Sequence, residues 1–157
     1  MNVPVSPGRK LAVIGTAGRD KHKPMTRQLW SAMQADFSRA INPEDSAVSG
    51  GAAWSDHLAV WAYLQGLCAH LALFLPAPLV NGRFAGPENS AGSTANYYHG
   101  LFKEITGVDG LQEIEQAVSK NLNQKMSESE QLETYSTQTR GICNAREAVR
   151  RVKFFSE

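Results

Sequence analysis

The chain has little of most things that would announce a function. It holds two cysteines, Cys68 and Cys143, far apart and without a metal-ligand spacing. That argues against a disulfide-stapled scaffold and a cysteine zinc site, and leaves reduced thiols of a cytosolic protein as the simplest reading. Neither sign of charge dominates: 16 Lys and Arg against 15 Asp and Glu give a formal net charge of +1. No global argument for nucleic acid, a membrane surface or an acidic partner follows from that balance. The longest apolar stretch, Leu67 to Val80, contains His70 and two prolines and is too short to span a bilayer. The opening residues, MNVPVSPGRK, lack the apolar centre of a signal peptide. HExxH, CxxC and a Ser-His-Asp order are missing, and His22, His57, His70 and His99 are scattered. The expectation is therefore a cytoplasmic protein with no metal site and no cofactor of its own, in which His70 is a structural histidine beside a buried strand.

What is present is an ordinary globular composition, with 157 residues of which 42% are hydrophobic. That is enough for one domain over residues 1–157 with a real core, and hardly for two. Within it one grammar occurs twice. Lys10 to Gly15 (KLAVIG) reads as a strand buried on both faces, and Gly15-Thr16-Ala17-Gly18-Arg19 follows as a glycine loop. Thr26 then caps a helix whose apolar face is Leu29, Trp30, Met33, Phe37 and Ile41. Ser46 to Val60 (SAVSGGAAWSDHLAV) repeats the pattern: a short apolar run, a Ser-Gly-Gly turn, then an amphipathic helix through Leu58, Trp61, Ala62 and Leu64/Leu67. Two such units in succession imply a right-handed βαβ crossover, which places both glycine loops at the C-terminal edge of a parallel sheet.

Further along, Leu71 to Leu75 reads as a third strand, ended by Pro76-Ala77-Pro78. The Gly-, Asn- and Ser-rich stretch from Asn81 to Ser93 is long for a plain connector and reads as a flap or mobile segment. Thr94 to Thr106 predicts a helix carrying Tyr97, Tyr98, Leu101, Phe102 and Ile105, stopped by Gly107. Asp109 caps another, with Leu111, Ile114, Ala117, Val118 and Leu122 on one face. Asn121 to Thr139 is polar and reads as surface loop or marginal helix. Helical patterning resumes over Arg140 to Val152, with a short last strand over Val152 to Phe155.

The chemistry follows from the loops. A strand ending in glycines at a helix N-terminus presents free N–H groups and the positive end of a helix dipole, which suits an anion such as phosphate. The first loop adds a hydroxyl at Thr16 and a guanidinium at Arg19 for bidentate contact, with Lys21 and Lys23 nearby. It is neither a Walker loop nor GxGxxG, since only Gly15 and Gly18 are in place. Together with Ser49, Gly50, Gly51 and Ala52 at the same edge, it can hold the phosphates and ribose of one nucleotide. Asp56 would accept hydrogen bonds from ribose hydroxyls, and His57 would stack on or bond to the ligand; both also fit the bland role of first-turn helix residues. Tyr97 and Tyr98 cannot both face one side of a helix, so one belongs to the core and the other, Tyr98, is a candidate to stack on a base. Arg83 and Glu88 read as solvated charge. Arg140, Asn144 and Arg146, near the start of the last long helix, suit a phosphate.

The pairing of VIGTAGR (Val13 to Arg19) with VSGGAAWSDHLAV (Val48 to Val60) resembles the SLOG superfamily. These Rossmann-like nucleotide-binding domains include the DNA-processing protein A domain, the LOG phosphoribohydrolases and the sensor domains of antiviral systems such as Thoeris. The resemblance implies an α/β fold, a Rossmann-like three-layer parallel sheet flanked by helices, with extra helices in the C-terminal half. It implies one nucleotide pocket over Gly15, Thr16, Gly18, Arg19, Ser49, Gly50, Gly51, Ala52 and Asp56. The segment Arg140 to Asn144 looks like the Arg-Asn element that several members place near the ligand. The likeness covers the first half of the chain. One departure bears on mechanism: LOG enzymes carry PGGxGTxxE, whose glutamate supports glycosidic cleavage, and this sequence has no such motif.

That departure favours binding without turnover of an ADP-ribose, NAD or cyclic-nucleotide signal, as phage-encoded sponges sequester immune messengers. The alternatives are a nucleotide hydrolase or N-glycosidase using Asp56, Glu88 or Glu104, and a single-stranded-DNA-binding accessory protein, ranked last for want of a basic patch. A homodimer or larger homo-oligomer is expected, with no membrane partner.

Overall fold

The computed structural model describes residues 8–127. They form a mixed α/β structure. Strands β1 (Lys10–Ala12), β2 (Ser46–Ser49) and β3 (His70–Leu73) make a parallel sheet in that order, with Lys10 opposite Ser46 and Ser46 opposite His70. A separate antiparallel hairpin pairs β4 (Leu79–Val80) with β5 (Arg83–Phe84). The helices are α1 (Arg27–Ala40), α2 (His57–Leu64), α3 (Ala91–Thr106) and α4 (Gly110–Ser127).

Local chemistry sets the boundaries. Thr26 Oγ1 accepts the Leu29 N–H at 3.0 Å, so the expected cap opens α1. Ser90 caps α3 through the Ser93 N–H, and Gly107, at φ +78°, ends it in the left-handed conformation that a side chain would oppose. Asp109 Oδ1 accepts from the Gln112 N–H at 3.2 Å and starts α4. Before β2, Asp45 is buried and accepts from the backbone N–H groups of Arg9 and Asn42 and from the Arg9 guanidinium at 2.8 Å. The Arg9 hydrogen bond is the largest influence on its carboxyl, which is held down at about 2.

The core lies between the sheet and the helices. α2 touches β2 and β3 on one side and α4 on another, while α1 meets α2 and α3, and α3 meets α4. Trp30, Trp54 and Phe102 form its aromatic centre, with the Phe102 ring 4.9 Å from Trp30 and 4.8 Å from Trp54, edge to face.

Several expectations are corrected. α2 is not amphipathic: His57, Leu58, Ala59, Val60, Ala62 and Tyr63 are all buried, because the helix is enclosed by sheet and helices together. β1 pairs only with β2 among the described residues, and Lys10 is exposed, so it is not covered on both faces. The stretch from Asn81 to Ser93 is no free flap. Asn81 and Gly82, at φ +50° and +74°, form the tight turn of the hairpin, and Asn96 binds both the N–H and the C=O of Phe84 at 2.9 Å. α3 buries Gly92, Asn96, His99, Phe102 and Thr106, while Tyr97 and Ile105 are exposed. Of the two readings of the stretch from Asn121, surface loop or marginal helix, the helical one holds as far as Ser127, where α4 ends. His70 opens β3 but is exposed. The expected helix over 140–152 and strand over 152–155 lie outside the described residues.

Candidate functional site

The two glycine segments do come together at the C-terminal edge of the sheet. The Val13 N–H donates to Val48 O at 2.8 Å, keeping the strands in step as they leave the sheet. Beyond that bond the segments touch directly: the Ser55 N–H donates to Thr16 O at 3.2 Å. Gly15 faces Ser55, where a Cβ would come within 2.5 Å of Oγ. Gly18, at φ +76°, faces Trp54, where a Cβ would lie 2.7 Å from the indole Nε1. Trp54 itself is buried with φ +65°, a conformation that costs a bulky residue energy and is tolerated only where packing on all sides enforces it.

The first loop is the open one. Gly15, Thr16 and Arg19 are exposed, and Ala17 and Gly18 are half-buried. Thr16 Oγ1 accepts the Gly18 N–H at 3.0 Å and so closes the loop on itself. The Arg19 guanidinium carbon stands 5.0 Å above the Tyr98 ring. Tyr98 therefore does lie beside the first loop, whereas Tyr97 is 61% exposed on the next face.

The second turn is the closed one. The Gly50 N–H donates to Asp56 Oδ2 at 3.2 Å and the Gly51 N–H to Ser49 Oγ at 3.3 Å, while Ser49 Oγ donates to Asp56 O at 2.7 Å. The Asp56 carboxylate thus stands where an anion would bind the turn, as its internal occupant. Burial pushes its pKa up to about 6 against the lowering pull of the Ala52 and Gly50 N–H groups. Ala52 is half-buried at the rim.

His57 is fully buried, and its Nε2–H donates to Glu113 Oε1 at 3.0 Å. Its ring lies 5.5 Å from Phe102 and 5.8 Å from His99, in the interior. Glu88 and Glu104, the other carboxylates considered for acid-base work, are exposed, as is Arg83. Arg140, Asn144 and Arg146 lie outside the described residues. Cys68 is buried, with its thiol pushed up to about 11 by desolvation, which makes it an inert packing residue. Among the described residues no group of three or more His, Cys, Asp or Glu is placed to hold a metal ion, and no helix is long and apolar enough to cross a membrane.

Sequence reasoning missed Trp54, Ser55 and His99. The first two join the loops. His99 sits behind them, its Nε2–H donating to Gly51 O at 2.9 Å. A signal existed for His99: Gly92, Asn96, His99, Phe102 and Thr106 recur at helical spacing, and it was the small and polar members that hid the stripe.

No family model matches the chain, and no solved structure matches it. Among curated proteins, an uncharacterized protein of Acanthamoeba polyphaga mimivirus is 33% identical over 114 residues, covering 67% of this chain and 62% of the viral protein. The chain thus spans less than two thirds of that relative's length.

Proposed function

We propose that the chain binds a nucleotide-derived small molecule of the ADP-ribose, NAD or cyclic-nucleotide type at the paired glycine segments, and sequesters it without turnover. One observation carries the reading. The exposed Gly15 to Arg19 loop abuts the Gly50–Asp56 turn through Ser55 and Trp54, with Arg19 poised over Tyr98 alongside. Such an edge offers a phosphate an exposed backbone, a hydroxyl and a guanidinium, and offers a base an aromatic ring. We read the sheet as part of a Rossmann-like, three-layer SLOG-type domain. The parallel order and the placement of both loops at one edge support that reading.

The test is incubation with ADP-ribose, NAD, AMP and cyclic nucleotides, reading thermal shift and then chromatographing the ligand from denatured protein. At a hundredfold excess over Kd, binding adds about 2.7 kcal/mol, enough to move Tm by several degrees. A stabilised protein that returns intact ligand is the expected result; no shift with any of them refutes the proposal. Sedimentation tests the accompanying expectation of a homodimer or larger assembly, which a clean monomer at micromolar concentration refutes.

A second reading, nucleotide hydrolysis or N-glycoside cleavage, is favoured by Asp56, whose pKa of about 6 suits a general acid or base. Ligand fragments in the chromatogram, abolished by Asp56→Asn, would replace sequestration with that activity.

A further inference from the structure

We infer that His99 is a positioning residue of the candidate site, holding the Gly50–Gly51 turn against the first loop through the Gly51 carbonyl; this rests on the ligand-binding reading above. His99 belongs to α3, not to either glycine segment, and it is buried to 2% exposure. A carbonyl only accepts, so the 2.9 Å contact with Gly51 O fixes the tautomer with the proton on Nε2. Nδ1 is then a bare acceptor, buried and without a hydrogen-bond partner. Burial lowers the imidazole pKa to about 4, so the ring stays neutral and the tautomer persists across ordinary pH.

The ring has no room to turn. Gly110 lies flush against it, such that a Cβ there would collide with Nδ1, and Phe84, His57 and Phe102 stand around it with centroids at 6.3, 5.8 and 6.5 Å. The donor is aimed by packing alone.

The neighbouring residue completes the arrangement. Tyr98 carries Arg19 of the first loop at 5.0 Å, while His99 carries Gly51 of the second turn. Two consecutive residues of one helix thereby set where the two glycine segments stand relative to each other. Gly51, at φ +76°, packs on Leu75 and Ile114. Its peptide can rotate cheaply once the carbonyl is released, because a glycine has wide backbone freedom. A ligand seated on the first loop, with the second turn as the wall beside it, reads that spacing, and the loss of a positioning contact weakens binding without touching the ligand itself.

The experiment compares wild type with His99→Phe, which keeps a ring and loses the donor, and His99→Gln, which retains an N–H donor. His99→Asn, too short to reach Gly51 O, replaces the Phe variant should that one not fold. Two quantities are read: amide hydrogen exchange at Gly50, Gly51 and Ala52 without ligand, and the Kd for ADP-ribose. His99→Phe is expected to speed exchange at those three amides at least tenfold while α1 and α4 amides keep wild-type rates, and to weaken ADP-ribose at least tenfold. His99→Gln is expected to recover most of both. Wild-type exchange and affinity in the donor-less variant overturn the inference, as does a folded Gln variant as impaired as Phe. Wild-type protein that binds none of ADP-ribose, NAD, AMP and cyclic nucleotides defeats the ligand-binding reading, and shows itself separately from the exchange result; where another of the four binds, its Kd replaces that of ADP-ribose.

Discussion

The two glycine segments are alike on paper and unlike in space. Each follows a strand, each opens toward a helix, and each carries small residues, a hydroxyl and a charged side chain. In the fold the first, Gly15 to Arg19, faces solvent and offers Thr16 and Arg19 outward. The second turns inward: Asp56 and Ser49 take up its N–H groups and His99 its carbonyl. The lesson is a division of labour. One segment leaves its groups open to solvent, and the other is a closed wall whose N–H groups are already taken by its own carboxylate and by Ser49.

Substitutions can break that contrast, and the largest effect belongs to the wall. Gly51→Ala forces a side chain into a left-handed backbone and onto Leu75. The expected loss is about 2–5 kcal/mol, from left-handed strain of about 1–2 kcal/mol and overpacking of about 1–3 kcal/mol. Denaturant unfolding measures it, and a loss below about 1 kcal/mol would mean that the turn is not rigid.

Next comes the internal carboxylate. The folded-state pKa of Asp56 is raised from 3.8 to about 6, so the folded protein binds that proton more tightly than the unfolded chain. Its contribution to stability is complete below pH 3.8 and is lost as pH rises through 6. The amount is on the order of 3 kcal/mol, a shift of roughly two units at 1.36 kcal/mol each. Asp56→Asn should flatten the pH dependence of stability between pH 4 and 6, read by unfolding at a series of pH values; an unchanged slope would place the titrating group elsewhere. Asp45 has the opposite sign: its contribution is present above pH 3.8 and disappears as pH falls through about 2.

The smallest effect on stability belongs to the presenting loop. Arg19→Ala removes an exposed side chain with one cation–π contact, and should change stability by no more than about 0.5–1 kcal/mol. Its effect on ligand affinity should be tenfold or more under the proposed function, which assigns Arg19 a charge-assisted phosphate contact. A variant that binds as wild type would remove Arg19 from the site.

Much of this was legible in the chain. Thr26, Gly107 and Asp109 mark helix ends by local chemistry, and the structure uses each as such. The two strand-glycine-helix units gave the parallel sheet and the meeting of the glycine segments, because crossover handedness leaves little choice. The inward face of α3 was not legible from apolar spacing. Tyr97 and Ile105 fit the hydrophobic template, yet Asn96 and His99 are buried, since each finds a backbone partner on another element. His57 does stand in the first turn of α2, but its burial was hidden for a related reason: a polar residue there reads as surface until Glu113, 56 residues later, pairs with it in the interior.

The sequence by itself determined β1 to β3, helices α1 to α4 and much of their punctuation, which rest on bonds between residues a few positions apart, but not the β4–β5 hairpin. It also determined that β1, β2 and β3 run parallel with both glycine segments at one edge. Only the tertiary structure decided which segment would be open and which closed. That choice depends on where the Asp56 carboxylate turns, on His99 reaching Gly51 across 48 residues of chain, and on Trp54 settling between the loops. These are contacts between elements, selected by how side chains fill a shared interior, and no local pattern encodes them.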